Sequence, residues 1–343
     1  MIKKSILIGW LLLAVVGQVF SDEITKVTNN VNISGGFTTS LFYVKNNNEF
    51  VDGHEAIQVT DFIVDFKSGE VKSGDIGFAT AFGIRKGHNI IDPTPEGSYR
   101  WEGIDFDYGY AIYRINNEMS LTLGSIFTTI GYEYSPNYKN KSIMRGVLWS
   151  SQPGAYEGAR FNYAFANKNI SAEVNYDKSQ FGYVGAKRTN WAISTNGNAV
   201  NVNYSLSYYD GKNSRNIVDL MLNTKVASLD LGFNMDYFVL DNRDDNFTAI
   251  GMAFYLSTTW LQFEFPLRIE YVSDGDSNVY GNANGNVDAA YTITFSPSYH
   301  QGKNAYLRVE LVWVSSKNEI FVDDSGAAKS GQVSLATQLG YEF

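Results

Sequence analysis

Apolar and polar residues alternate one by one over long stretches of this 343-residue chain, and that period of two constrains its fold more than any other feature. Leu229, Leu231, Phe233, Met235, Tyr237 and Val239 line one side of a segment whose other side carries Asp230, Gly232, Asn234 and Asp236. Val200, Val202, Tyr204, Leu206 and Tyr208 stand against Asn201, Asn203, Ser205 and Ser207, and residues 261–271 repeat the pattern. Successive side chains of a strand point to opposite faces, so each segment predicts a strand with one apolar and one wet face. The apolar face must meet either a second sheet or lipid.

The connections favour lipid. Short turns are expected at Asn116-Asn117-Glu118, Asn167-Lys168-Asn169, Asn196-Gly197-Asn198, Val226-Ala227-Ser228 and Ser257-Thr258-Thr259. They alternate with long stretches rich in Asn, Asp, Gly and Ser at 45–57, 86–99, 272–287 and 315–332. Short turns on one rim and long loops on the other are the asymmetry of an outer-membrane barrel. Composition agrees: 23 Tyr, 22 Phe and 31 Gly accompany a mean hydropathy of −0.20, as expected when only alternate residues face lipid. The fold class read from the pattern is all-β, a transmembrane antiparallel β-barrel. Its final strand, with Val333, Leu335, Thr337, Leu339, Tyr341 and Phe343 on one face, is similar to the C-terminal signature read by the outer-membrane barrel assembly machinery.

The first residues give the compartment. Lys3 and Lys4 precede an apolar stretch from Ile6 to Phe20, and Val19-Phe20-Ser21 offers small residues for cleavage before Asp22. This predicts a signal peptide over 1–21 and a single barrel domain over 22–343, in the bacterial outer membrane. Loss of Lys3 and Lys4 takes the formal charge from −9 to −11, which argues against nucleic acid as a partner because phosphate binding needs a basic face. The chain holds no Cys, so disulfides and thiol-based metal or redox chemistry are excluded.

Even strand numbers with both termini on the periplasmic side allow a parity count. Strands are expected near 31–44, 58–67, 74–85, 100–113, 119–130, 155–166, 170–176, 184–194, 199–208, 216–225, 229–239, 247–256, 261–271, 288–297, 305–314 and 333–343. The short turns share one side only if 131–154 is one long outer loop, the third. The count is then sixteen, with fourteen and eighteen as alternatives, and the lumen is too wide for side chains to fill.

Thr128-Thr129-Ile130-Gly131-Tyr132-Glu133-Tyr134-Ser135-Pro136-Asn137, followed by Lys141-Ser142 and by Pro153-Gly154 to Gly158-Ala159-Arg160, resembles the β-barrel porin-2 family of OmpL-like porins. The specific motifs cover roughly residues 124–163, and the sequence departs from the pattern at Ser151-Gln152-Pro153 and Tyr156-Glu157-Gly158. The resemblance implies a water-filled outer-membrane channel with no catalytic residues. By analogy with sixteen-stranded porins, the third loop folds inward to narrow the channel and the barrel forms a homotrimer.

Catalysis has little to work with, since His54, His88 and His300 are the only histidines and none pairs with a serine nucleophile. Asp241, Asp244 and Asp245, or Asp274 and Asp276, lack EF-hand spacing and read as solvated loops rather than a metal site. No cofactor is expected. The lumen is more informative. The expected inward acids are Asp61, Asp65, Asp105, Asp107, Glu173, Asp219, Asp230, Asp236, Glu264, Glu270 and Glu310, against Arg85, Arg160, Arg188, Arg268 and Arg308. The third loop adds Glu133, Lys139, Lys141 and Arg145. Such opposed charges predict either a transverse field at a constriction or simply a wet wall, with a modest cation preference from the excess of acids. Two functions stay open: passive diffusion of ions and small hydrophilic solutes, or a structural or adhesive barrel whose loops bind a partner.

Overall fold

The computed structural model describes residues 31–46, 56–85, 88–91, 105–177, 188–211, 215–241, 246–275, 277, 279–281, 285–323 and 325–343. The expected signal segment, 1–21, lies outside them. The alternating segments become sixteen strands: β1 (Val31–Lys45), β2 (Ala56–Ser68), β3 (Ile76–Arg85), β4 (Asp105–Arg114), β5 (Met119–Phe127), β6 (Ala155–Phe165), β7 (Lys168–Asp177) and β8 (Arg188–Ala199). They continue as β9 (Val202–Asp210), β10 (Arg215–Val226), β11 (Leu229–Asp241), β12 (Asn246–Trp260), β13 (Phe263–Glu264 with Leu267–Ser273), β14 (Ala289–Phe295 with Ser298–Gln301), β15 (Ala305–Ser316) and β16 (Gly331–Glu342).

Each strand pairs antiparallel with the next, and β1 closes the ring on β16 from Gly36↔Glu342 to Lys45↔Val333. Both β13 and β14 are interrupted at a proline, Pro266 and Pro297, because proline brings no N–H to the ladder. A closed ring leaves no unpaired edge, which a lipid environment requires. Connections on the β1–β16 terminal rim run from two to seven residues; those on the other rim run from four to twenty-seven, the longest being 128–154.

Two of the expected turns fall elsewhere. Asn196-Gly197-Asn198 lies within β8, and the chain reverses at Val200 and Asn201, both at positive φ (50° and 65°). The asparagines belong to the wall instead: Asn198 Nδ2 donates to Asn203 Oδ1 at 2.9 Å, and Asn203 Nδ2 to Asn223 Oδ1 at 2.9 Å. Likewise Ser257-Thr258-Thr259 lies in β12, where Ser257 Oγ donates to Glu264 Oε1 at 2.9 Å, and the turn is at Leu261 and Gln262. His300, expected in a turn, sits at the end of β14.

The outer face carries the apolar half of the alternation. At its long-loop rim stand exposed Tyr43, Phe106, Trp191, Tyr237, Tyr291 and Trp313. Near the short turns stand Tyr113, Phe165, Trp260, Phe263 and Tyr299. Two aromatic girdles bounding an apolar band are the surface of a transmembrane barrel. The inner face is not uniformly wet. Toward the long-loop rim, inward Phe42, Phe238 and Val312 pack with Ile90, Met144, Leu148, Tyr280 and Phe321 of the connections.

Candidate functional site

The connection 131–154 holds a short turn at Asn137–Lys139 and a five-residue helix, α1 (Val147–Ser151). A segment this long carries many backbone N–H groups, each needing an acceptor when buried. Inward carboxylates supply them. Glu310 Oε2 and Oε1 accept the N–H groups of Ile143 (2.6 Å) and Met144 (2.8 Å). Glu270 Oε1 accepts from Leu148 N–H (3.3 Å), and Glu133 Oε2 from Gly146 N–H (2.8 Å), so carboxylates gather at the start of α1, where the helix dipole favours them. Asp61 Oδ2 accepts from Tyr138 N–H (3.0 Å), and Asp65 Oδ2 from its hydroxyl (3.0 Å). Burial, with the Asp65 charge beside it, holds that phenol well above its ordinary pKa. Close packing completes the anchor: a Cβ on Gly36 would meet the Tyr138 ring at 2.4 Å.

Arg268 is the hub. Its guanidinium pairs with Glu133, lies 3.2 Å from Glu270 and donates to the Met144 carbonyl at 3.1 Å. With its side chain 1% exposed, this is a buried charge held by two carboxylates. Arg308 donates to the Ser142 carbonyl (3.3 Å) and to Gln338 (3.2 Å), its guanidinium 4.7 Å from the Tyr306 ring centre. At the other end of the segment, Gln152 Nε2 donates to Asn234 Oδ1 (3.0 Å) and Asp236 Oδ2 (2.7 Å).

The loop cations separate into three environments. Lys141 bridges Glu264 (2.8 Å) and Asp230 (3.0 Å); burial works against its charge, but these two partners outweigh it and push its pKa up. Arg145 is 2% exposed, stacked 3.9 Å over Trp149 and bonded to the Ser135 carbonyl. Lys139 is exposed, 5.4 Å from the Tyr138 ring centre. Arg85 pairs with Asp107 (3.1 Å) and donates to the Ser135 hydroxyl of the connection, and on the remaining wall Arg160 pairs with Glu173 (2.5 Å). The side chains of Asp105 and Arg188 lie outside the described residues.

These contacts correct the expected charge balance of the wall. Asp61, Asp65, Asp230, Asp236, Glu264, Glu270 and Glu310, seven of the eleven expected inward acids, are bound to residues 131–154. The excess of acids over bases therefore overstates the negative charge left to face water. Sequence reasoning also missed Tyr138 and Gln152, because nothing along the chain marks which loop residue a distant wall carboxylate will meet. Asp274, weighed as a calcium ligand, spends its carboxylate on the N–H groups of Val279 (2.7 Å) and Tyr280 (3.0 Å). Asp244, Asp245 and Asp276 lie outside the described residues, as does the Asp241 side chain. His88 is buried against Phe42 with ring centres 4.1 Å apart, and its Nε2 lies 2.6 Å from Gln58.

Among solved structures, this fold is similar to OmpT, an outer membrane protein of Vibrio cholerae in its trimer form, with a TM-score of 0.62 and 11% identity over 91% of this chain and 99% of that one. An anion-selective porin from Comamonas acidovorans gives 0.61 at 13% identity, covering 91% and 99%. Pseudomonas aeruginosa OpdO gives 0.55 at 11%, covering 92% and 98%. At these identities the likeness is one of fold alone. Among curated proteins none matches. The family model described as "Putative beta-barrel porin-2, OmpL-like" matches residues 103–343. That match takes in the loop with its motif, every strand from β4 onward and the terminal Phe343, and on it the chain belongs to the OmpL-like β-barrel porin-2 family.

Proposed function

We propose that this protein is an outer-membrane porin, a water-filled channel for passive diffusion of ions and small hydrophilic solutes, narrowed by residues 131–154. The observation that carries the reading is the anchoring of that connection. It joins β5 to β6, yet its hydrogen bonds and ion pairs reach inward side chains of β2, β3, β11, β13, β14 and β15. A connection that meets both flanks of a closed ring supports a path across its interior. Its apolar packing with Phe42, Phe238 and Val312 fills part of that interior, which supports a narrowed passage. Such a passage admits solutes by its diameter and by the polar groups that line it.

In this reading residues 1–21 are removed on export, both termini face the periplasm, the aromatic-bounded band meets lipid, and the strand ending at Phe343 is read by the assembly machinery. A homotrimer is supported by the trimer form of the structurally similar OmpT. The test is conductance of the purified protein in planar bilayers. Discrete, long-lived channels are expected; a folded protein that never conducts would leave the structural or adhesive barrel as the better reading.

A further inference from the structure

Both ends of the connection 131–154 come to one place on the wall. A Cβ on Gly131 would meet Gln152 Oε1 at 2.0 Å, and Gly131 takes a φ of +93°, which favours glycine. Beside them stand Asp219 on β10 and Asp236 on β11, directly opposite in register and both fully buried. The Gly131 N–H donates to the Asp219 carboxyl, and Gln152 Nε2 donates to Asp236 Oδ2 at 2.7 Å. Asn234 completes the group: its Nδ2 donates to Asp219 Oδ2 (2.5 Å), and its Oδ1 accepts from Gln152 Nε2 (3.0 Å).

The two carboxyl groups also lie within hydrogen-bond reach of each other. Ionised carboxylates are acceptors only, so this contact needs a proton between them. Among the described residues no cation pairs with either acid. Their lateral partners are Ser207 on β9 and Gly251 on β12. The titratable group packed against Asp236 from the connection 274–288 is the Tyr280 phenol, and Arg215 on β10 acts on Asp274 and Tyr280. Like charges directly opposite on neighbouring strands repel, and two buried carboxylates that share a site keep one proton for that reason. The site is closed to any solute, since Asp219 Oδ1 and Asp236 Oδ1 are sealed and without a partner. A proton, delivered by local breathing of the chain, is the one ligand such a site can exchange.

We infer that Asp219 and Asp236 form a proton-operated latch that holds both ends of the connection on the wall and releases them as pH rises. The sign follows from linkage. Closed, the pair keeps one proton; opened to water, two aspartates keep none above about pH 5. Release is therefore favoured by up to about tenfold per pH unit, until the closed pair loses its proton as well. The consequence for conductance rests on the channel reading above; the latch itself does not.

The test uses the full-length protein across a window of about pH 5 to 9, chosen to begin where solvated aspartates are ionised. Hydrogen exchange of peptides covering residues 128–154, corrected for the intrinsic rate at each pH, reads opening of the latch directly. Planar-bilayer currents read its effect on the pore. Expected are a loss of protection of about tenfold or more across the window and currents that grow larger and noisier, both reversed on return to low pH. Asp236→Asn keeps an oxygen for Gln152 and offers Asp219 an N–H in place of the shared proton, so its protection should not change with pH. Asp219→Asn makes the same replacement from the other strand and should behave alike. Variants count only if their unheated gel mobility matches the parent. Protection of the parent that stays constant with pH overturns the latch, whether or not a variant folds. So does a pH dependence that folded Asp236→Asn retains in full. Both results leave the porin standing. A protein whose exchange follows the expectation but which never conducts removes the porin reading and leaves the latch.

Discussion

Arg268 ties one wall acid, Glu270, and one loop acid, Glu133, into a single buried cluster, and its loss should be felt in both stability and conductance. Arg268→Gln leaves Glu133 and Glu270 without their cation, a change that costs about 3–5 kcal/mol when a buried pair is broken. A lower temperature for the heat-modified gel shift, with larger and noisier single-channel currents, is the expected result; unchanged currents would place the segment away from the conducting path. Gly146→Ala strikes the same cluster from the loop side. Its new Cβ would meet Glu270 Oε1 at 2.3 Å, and overpacking of this kind costs about 1–3 kcal/mol. Lys139 is the contrast. Exposed beside Tyr138, it should tolerate Lys139→Ala with a stability change within about 0.5 kcal/mol. Reversal potentials in a potassium chloride gradient should shift toward cations in that variant, and a shift toward anions would show that Lys139 does not face the pore. Residues of this kind were only partly legible. Period two put Glu270, Glu310 and Arg268 on the inner face, but whether such a group meets water or a loop backbone depends on contacts more than a hundred residues away in sequence.

Elements were more legible than side-chain partners. One face of every strand is apolar, and a slip of one residue would send its charges into lipid, so register is strongly specified along the chain. The turn at Asn196-Gly197-Asn198 was misplaced because asparagine serves equally as a turn former and as a neutral lumenal side chain. Val200, which is β-branched, reverses the chain at positive φ, against its own preference. The connection 131–154 was found by parity, not by any local helix or turn signal, and its anchors carry the next prediction. Deletion of 134–150 removes the segment that Glu310, Glu270 and Asp61 hold. Single-channel conductance should rise; conductance equal to that of the parent would argue that the segment does not narrow the pore.

For the whole molecule, closure is the central fact: β1 and β16 meet over ten paired positions, and Phe343 N–H donates to the Gly35 carbonyl at 3.1 Å just beyond them. Truncation of Phe343 should reduce outer-membrane insertion in cells far more than it reduces refolding in detergent, since the ladder itself survives; equal losses in both assays would mean that the residue acts through stability alone. Mass photometry in detergent should find three copies, and monomers only would remove the trimer. A barrel that holds its longest connection by the backbone can diversify without changing its wall. The carboxylates of Glu310 and Glu270 meet the connection through the peptide N–H groups of Ile143, Met144 and Leu148, and every amino acid but proline brings the same peptide N–H. Substitutions can therefore accumulate at exposed positions such as Tyr134, Lys139 and Ser150 while the grip stays the same. On the channel reading proposed above, the barrel is a fixed holder for an exchangeable insert, and a designer could swap the insert without rebuilding the holder.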